Sequence, residues 1–447
     1  MDIVKELLRG IPLPRMVKVR QNFPVSEIKD VPASLREQLS KPGVGDRIKP
    51  GMRIAIAVGS RGVAEIPTLA RVTAEEIKRR GGHPFIVPGM GSHGGATAEG
   101  QKEVLANLGV TEASAGCEIL SSMEVVELGR LPVGLPVYMD KYAYEADGIV
   151  VINRVKPHTA FRGPNESGVA KMITIGLGKQ KGAESCHAYG FGVAAEFIPA
   201  MARITLAKAP ILFGVATVEN AYDRIAKIVA MPAGELIETD AALLPEAKAA
   251  MARICFDDPI DVLIIDQIGK DISGDGADPN IMGRYPTPFA SGGPKVSKMV
   301  ILDLTEATHG NANGIGHAEF TTRKLVNKID FPMTYANCLT STVAQPGKLP
   351  IILEDDRDAI LAAMKTCNAR DLSKARVVRI KDTLRIGEIY ISESMLAEAA
   401  TRPQIEVIGS PAEMVFDAAG NLLDQLVSPQ HAEPRRVTGA PVVETTA

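Results

Sequence analysis

Short apolar runs, each closed by glycine or proline and separated from the next by a stretch with helical spacing, recur along most of this chain. Runs at residues 53–58, 84–87, 148–152, 211–218, 261–265, 299–304 and 376–380 are apolar nearly throughout rather than alternating. A strand reads that way when both of its faces are covered, which is the situation of parallel strands joined by crossover helices. Between the first two runs, Ile66, Leu69, Thr73 and Ile77 share one helical face, and Gly81-Gly82 stops the helix. After the second run Thr97 is placed to cap a helix whose Val104, Leu105 and Leu108 turn inward before Gly109. The fold class expected is α/β, with mainly parallel sheets.

At 447 residues the chain exceeds what one hydrophobic core serves, so two α/β domains are expected, with an active site in the cleft between them. The Ala-rich stretch 240–254 gives way to Phe256-Asp257-Asp258-Pro259 and a new apolar run, which puts the boundary near residue 255. Residues 1–255 are then a first α/β domain and 256–427 a second. Residues 428–447, rich in Pro, Thr and Ala, read as a flexible tail. A net charge of −3 provides no broad positive field for nucleic acid or an anionic membrane, so a small-molecule ligand is expected. No run approaches the ~18 apolar residues of a membrane span. Five scattered cysteines without a Cys-x-x-Cys pair suggest reduced thiols and a cytoplasmic setting.

In open α/β sheets ligands gather beyond the carboxyl ends of strands. Four such loops are rich in chemistry: Gly59-Ser60-Arg61, Gly89-Met90-Gly91-Ser92-His93-Gly94, Asn153-Arg154-Val155-Lys156-Pro157-His158, and Asp266-Gln267-Ile268-Gly269-Lys270. Gly89-x-Gly91-x-x-Gly94 has the spacing of a dinucleotide loop, but Pro88 and His93 interrupt it and no acid follows at the usual distance. Gly176-Leu177-Gly178-Lys179 looks suited to phosphate yet lacks the Ser or Thr that holds magnesium after a Walker lysine. His93, His158 and His187 are too far apart in sequence for a local zinc motif. Each of them, like Lys171 on its apolar stretch, is open to a purely structural reading; so is Arg61 as a surface ion-pair partner. Residues 271–280 and 308–317 are polar loops that could line a pocket or merely cap helices.

As an ordered set, Ser60-Arg61, Gly91-Ser92-His93, Pro157-His158, Lys171, His187 and Gln267-x-x-Lys270 resemble the nickel-dependent lactate racemase family. The resemblance runs from about residue 15 to about 400 and is densest from Ile54 to His187. It implies a nickel-pincer nucleotide, the nickel complex of pyridinium-3,5-bisthiocarboxylic acid mononucleotide, joined covalently to the amine of Lys171. It further implies that His187 is the imidazole ligand of the metal and that His93 and His158 are the acid/base pair. Ser60, Arg61, Gln267 and Lys270 would hold cofactor, with Arg61 and Lys270 also gripping the substrate carboxylate. The implied reaction is racemisation or epimerisation of a 2-hydroxy acid by reversible hydride transfer, with cofactor-building enzymes as necessary partners in the same cell and homo-oligomerisation left open. Two imidazoles suit the task because a planar 2-oxo intermediate can be reduced on either face, and histidine changes protonation near neutral pH.

The chain departs from the lactate racemases around these motifs. An acidic residue and Thr normally precede the arginine, where this sequence has Gly59-Ser60. Gly94 stands after the histidine in place of the usual Arg, Gly168-Val169-Ala170 precedes the lysine, and tryptophan is missing from the whole sequence. A larger or more polar 2-hydroxy acid, sugar acids included, is expected as readily as lactate. Two other classes compete: a nicotinamide (NAD)-dependent oxidoreductase using the Gly89 loop, and a non-catalytic small-molecule binding protein.

Overall fold

The computed structural model describes residues 2–60 and 62–423. Arg61 and the tail proposed at 428–447 lie outside the described residues. The chain divides into two compact units, one holding residues 24–158 and 162–251, the other 2–23, 159–161 and 252–423.

The first unit is built on a five-stranded sheet in the order His83–Pro88, Arg53–Val58, Gly148–Arg154, Ile211–Glu219, Ile225–Pro232. The first four strands are parallel and the last is antiparallel to its neighbour. Burial explains the continuous apolar runs. Ile54, Ile56, Val150, Ile152, Phe213 and Val215 pack on one face with Leu35, Leu39, Leu69 and Ile77. Ala55, Ala57, Val87, Ile149 and Val151 pack on the other with Val169, Ile173, Leu177, Leu236 and Leu243. The alanines keep this second face low, so the helical segment carrying Lys171 can lie close. The helix Ile66–Arg79 ends on Gly81 at φ +83°, a left-handed position that glycine adopts without a Cβ penalty. Thr97 caps Ala98–Asn107 by accepting the N–H of Gly100 at 3.0 Å. A hairpin, Val125–Arg130 with Pro136–Asp140, forms a separate two-stranded sheet.

The second unit has an eight-stranded sheet in which Ile351–Leu353, Phe320–Thr322, Val296–Leu304, Ile260–Ile268 and Val377–Ile380 run parallel. Glu388–Ser392, Met16–Gln21 and Ile405–Val407 extend it as antiparallel strands. Met16–Gln21 pairs with strands nearly four hundred residues later in the sequence. Both units are α/β with mostly parallel strands. Among the described residues all five cysteines are free, and no single helix is long and apolar enough to cross a membrane.

Candidate active site

Strand register decides which loops meet in the first unit. Val58 lies opposite both Pro88 and Ile152, so these three neighbouring strands end within two residues of one level. There the hydroxyl of Ser60 hydrogen-bonds Nδ1 of His93. The Gly89–His93 loop rests on the segment that follows Lys171. A Cβ on Gly89 would stand 2.5 Å from Sδ of Met172, and one on Gly176 would stand 2.7 Å from the carbonyl oxygen of Gly89. Gly91 donates its N–H to the Gly176 carbonyl at 3.0 Å, Gly89 to Val58 at 2.8 Å, and the N–H of His93 to Met90 at 3.1 Å. These N–H groups serve protein acceptors, whereas a phosphate cradle needs them pointed at the ligand. At Gly89 and Gly91 the missing side chains allow close packing on Met172 and Ile175.

Lys171 is set by a buried polar anchor. Asp240 accepts the N–H of Val169 at 2.8 Å and the amide of Asn165 at 3.1 Å, and Asn165 also donates to the Ile237 carbonyl at 2.9 Å. Burial raises the Asp240 carboxyl to about 6 against these hydrogen bonds. A Cβ on Gly168 would fall 2.0 Å from Oδ1 of Asp240, so only glycine lets the acid reach the helix start. Asn153, at the end of its strand, donates to the Gly168 carbonyl at 2.7 Å. The chain then forms Val169–Lys171, a π-turn at Met172–Gly176 closed by the Leu177 N–H on the Met172 carbonyl at 2.8 Å, and the helix Lys179–His187. Single π-turns recur at functional sites.

His187 ends that run. Its Nδ1 is buried and has no hydrogen-bond partner among the described residues. Burial first, and the nearby Lys171 ammonium second, lower its pKa to about 4, so the ring is neutral at pH 7. Phe191 packs against His187 with ring centroids 5.1 Å apart and against His158 at 5.7 Å, bringing both imidazoles to one ring. Burial pushes the neighbouring Cys186 thiol up to about 12.

The His158 loop hangs on Glu166, whose side chain is wholly buried. Its carboxylate accepts the N–H of His158 at 2.8 Å and of Gly163 at 3.3 Å, and pairs with Arg162 at 3.1 Å and Lys248 at 2.7 Å. Sequence reasoning missed Glu166, Asp240, Asn165 and Phe191. Glu166 sits in Gly163-Pro164-Asn165-Glu166-Ser167-Gly168, which has the composition of a solvated loop. The pairing of Lys156 with Ser167 across that loop is its one regular feature.

Gln267 and Lys270 belong to the second unit. Gln267 lies on Ile260–Ile268 and donates its N–H to the Lys381 carbonyl at 2.9 Å. The Lys270 ammonium donates to the Gly274 carbonyl at 2.5 Å and to Oδ1 of Asn337, and the Lys270 N–H is held by Thr308 Oγ1 at 3.0 Å. The loops at 271–280 and 308–317 are tied together beside it: Asp275 pairs with the buried His317 at 2.7 Å and accepts from Asn313 at 3.0 Å.

Among the described residues no cluster of three or more His, Cys, Asp or Glu side chains could hold a metal ion. A metal bound at His187 would therefore draw its remaining donors from another molecule; of the two buried imidazole nitrogens without a partner among the described residues, Nδ1 of His187 and of His317, the first lies near Lys171 and fits a ligand that brings both metal and donors.

No curated protein matches the chain. Among solved structures it is similar to a protein from Thermotoga maritima, with 14% identity over 62% of this chain and 72% of that one and a TM-score of 0.47. It is also similar to the lactate racemase apoprotein from Thermoanaerobacterium thermosaccharolyticum, with 16% identity over 64% and 74% and a TM-score of 0.40. Neither likeness is close enough to carry an argument. Residues 8–196, which contain Ser60, His93, His158, Lys171 and His187, match the family model described as the lactate racemase N-terminal domain. The likeness to the lactate racemase N-terminal domain thus covers the first unit's candidate residues and under half of the chain.

Proposed function

We propose that the protein is a racemase or epimerase of a 2-hydroxy acid that works with a nickel-pincer nucleotide tethered to Lys171. The observation carrying this reading is the buried, partnerless Nδ1 of His187 next to the Lys171 ammonium. Lys171 would hold the nucleotide through a thioamide, and His187, neutral at working pH, would give its lone pair to the nickel. When bound, the nucleotide supplies an electron-poor acceptor for the hydride on the hydroxyl-bearing carbon. That route is chemically preferred because removing a proton from this carbon would set a second negative charge beside the carboxylate.

The chain's own residues manage the hydroxyl proton and the carboxylate. His93, held through Nδ1 by Ser60, takes or returns the hydroxyl proton for one enantiomer, and His158, held through its backbone by Glu166, does so for the other. Arg61 offers a planar fork and Lys270 a point charge for the carboxylate. Gln267 completes the polar set. The substrate is a 2-hydroxy acid larger or more polar than lactate as readily as lactate itself.

The test is to make the protein alongside the cofactor-building enzymes and measure intact mass, nickel content and racemisation of a panel of 2-hydroxy acids by chiral chromatography. An adduct of the nucleotide's mass, one nickel per chain and inversion of at least one acid are expected. An unmodified Lys171 in protein that is otherwise folded would overturn the reading.

A further inference from the structure

The function above makes no use of Lys179, a lysine whose side chain is fully buried. Its ammonium donates to the Pro88 carbonyl at 2.6 Å and to Oε1 of Gln101 at 2.8 Å, and is paired with the buried Asp140 carboxylate at 3.2 Å. Lys179 also holds a left-handed backbone at φ +55°, a conformation that is costly for a side-chain-bearing residue and persists where its surroundings dictate it. In this position it cannot act as a phosphate-binding lysine.

Gln101, equally buried, hands the constraint on. Its Nε2 donates to the carbonyls of Gly91 at 3.0 Å and His93 at 3.2 Å. An amide has one acceptor end and one donor end. An ammonium can only donate, so it draws Oε1 to itself and turns the NH₂ toward the two loop carbonyls; the flipped amide would set oxygen against both. Asp140 keeps that ammonium paired in a site that would otherwise disfavour charge. Ser60 holds the His93 ring through Nδ1, and Gln101 holds the backbone from which that ring projects.

We infer that Lys179 and Gln101 are positioning residues for His93: the buried lysine sets the direction of the Gln101 amide, and the amide fixes the carbonyls on both sides of Ser92. The inference rests on the reading of His93 as an acid/base group, and its first readout is independent of catalysis. In protein without cofactor, labelled with ¹⁵N-histidine, the His93 ring signals are identified by their loss in His93→Ala. Gln101→Glu keeps the size and the lysine contact but turns an oxygen toward the two carbonyls; Gln101→Met removes the hydrogen bonds altogether.

In both variants the His93 signals and their titration midpoint should move while those of His187 stay in place. In loaded enzyme kcat should fall of the order of tenfold to a hundredfold with KM nearly unchanged, as expected for a displaced reacting group rather than lost binding. Unchanged His93 signals in a folded variant would overturn the inference. If one variant does not fold, the other decides. If loaded wild-type protein racemises nothing, the proposed function falls, and the ring signals still decide whether Lys179 and Gln101 place His93.

Discussion

Ser60 and His93, thirty-three residues apart, are joined by a hydrogen bond between the hydroxyl and Nδ1 at the carboxyl ends of neighbouring parallel strands. The bond engages one ring nitrogen and fixes the tilt of the ring, and a base held in its reacting orientation loses less on reaching its transition state. Ser60→Ala should therefore leave folding intact and lower turnover roughly tenfold, the range seen when a histidine loses its orienting partner. Chiral turnover measured against the thermal midpoint of the same variant checks this.

Attachment and proton transfer should separate by mutation. Lys171→Ala is expected to lose the covalent adduct. His93→Ala and His158→Ala are expected to keep it while racemisation falls about 10²–10⁴-fold. Mass spectrometry of intact protein and a chiral assay distinguish the two outcomes, and full turnover in both histidine variants would defeat their assignment.

Gly168→Ala should unfold the protein more easily. The new methyl would lie 2.0 Å from Asp240 Oδ1, and either the acid leaves the Val169 N–H or the backbone shifts. Overpacking of this kind costs about 1–3 kcal/mol, and an unsatisfied buried acid adds to it. Chemical denaturation compared with the wild type gives the difference directly.

The pH dependence of stability has a definite sign at His187. Its folded pKa of about 4 lies below the ordinary value of 6.5, so between those two pH values the unfolded chain takes up a proton that the folded chain refuses. Stability is lost from this group as pH falls from 6.5 to 4, by an amount of the order of 2–3 kcal/mol. Asp240, with a raised pKa of about 6, acts in the opposite sense: its contribution is full below the ordinary 3.8 and is lost as pH rises through 6. Subtracting the His187→Gln curve from the wild-type curve in apoprotein cancels Asp240 and should leave a slope confined to that window. A difference independent of pH would show that the ring is not desolvated.

The strands that could be read directly were those covered on both faces. Residues 54–58 and the apolar cores of Gly148–Arg154 and Ile260–Ile268 are continuous hydrophobic text because both of their faces are covered. Met16–Gln21 was not legible. Its partners are Glu388–Ser392 and Ile405–Val407, and its Lys18 and Arg20 pair with Glu388 across the sheet, so half its information resides elsewhere in the sequence. The candidate site divides the same way. His93, His158, Lys171 and His187 announce themselves by residue type and order, whereas Glu166 and Asp240 become visible only when the fold buries them and supplies donors.

The wide turn at Met172–Gly176 has one further consequence. Each residue of an ordinary helix advances the side chains by about 100° around the axis, so the number of residues in that turn sets the azimuth at which Lys171 stands relative to everything downstream, His187 included. Deleting one residue there would leave the composition almost untouched and swing the amine toward a different quadrant. In this segment chain length is as much a determinant of chemistry as the identity of any side chain.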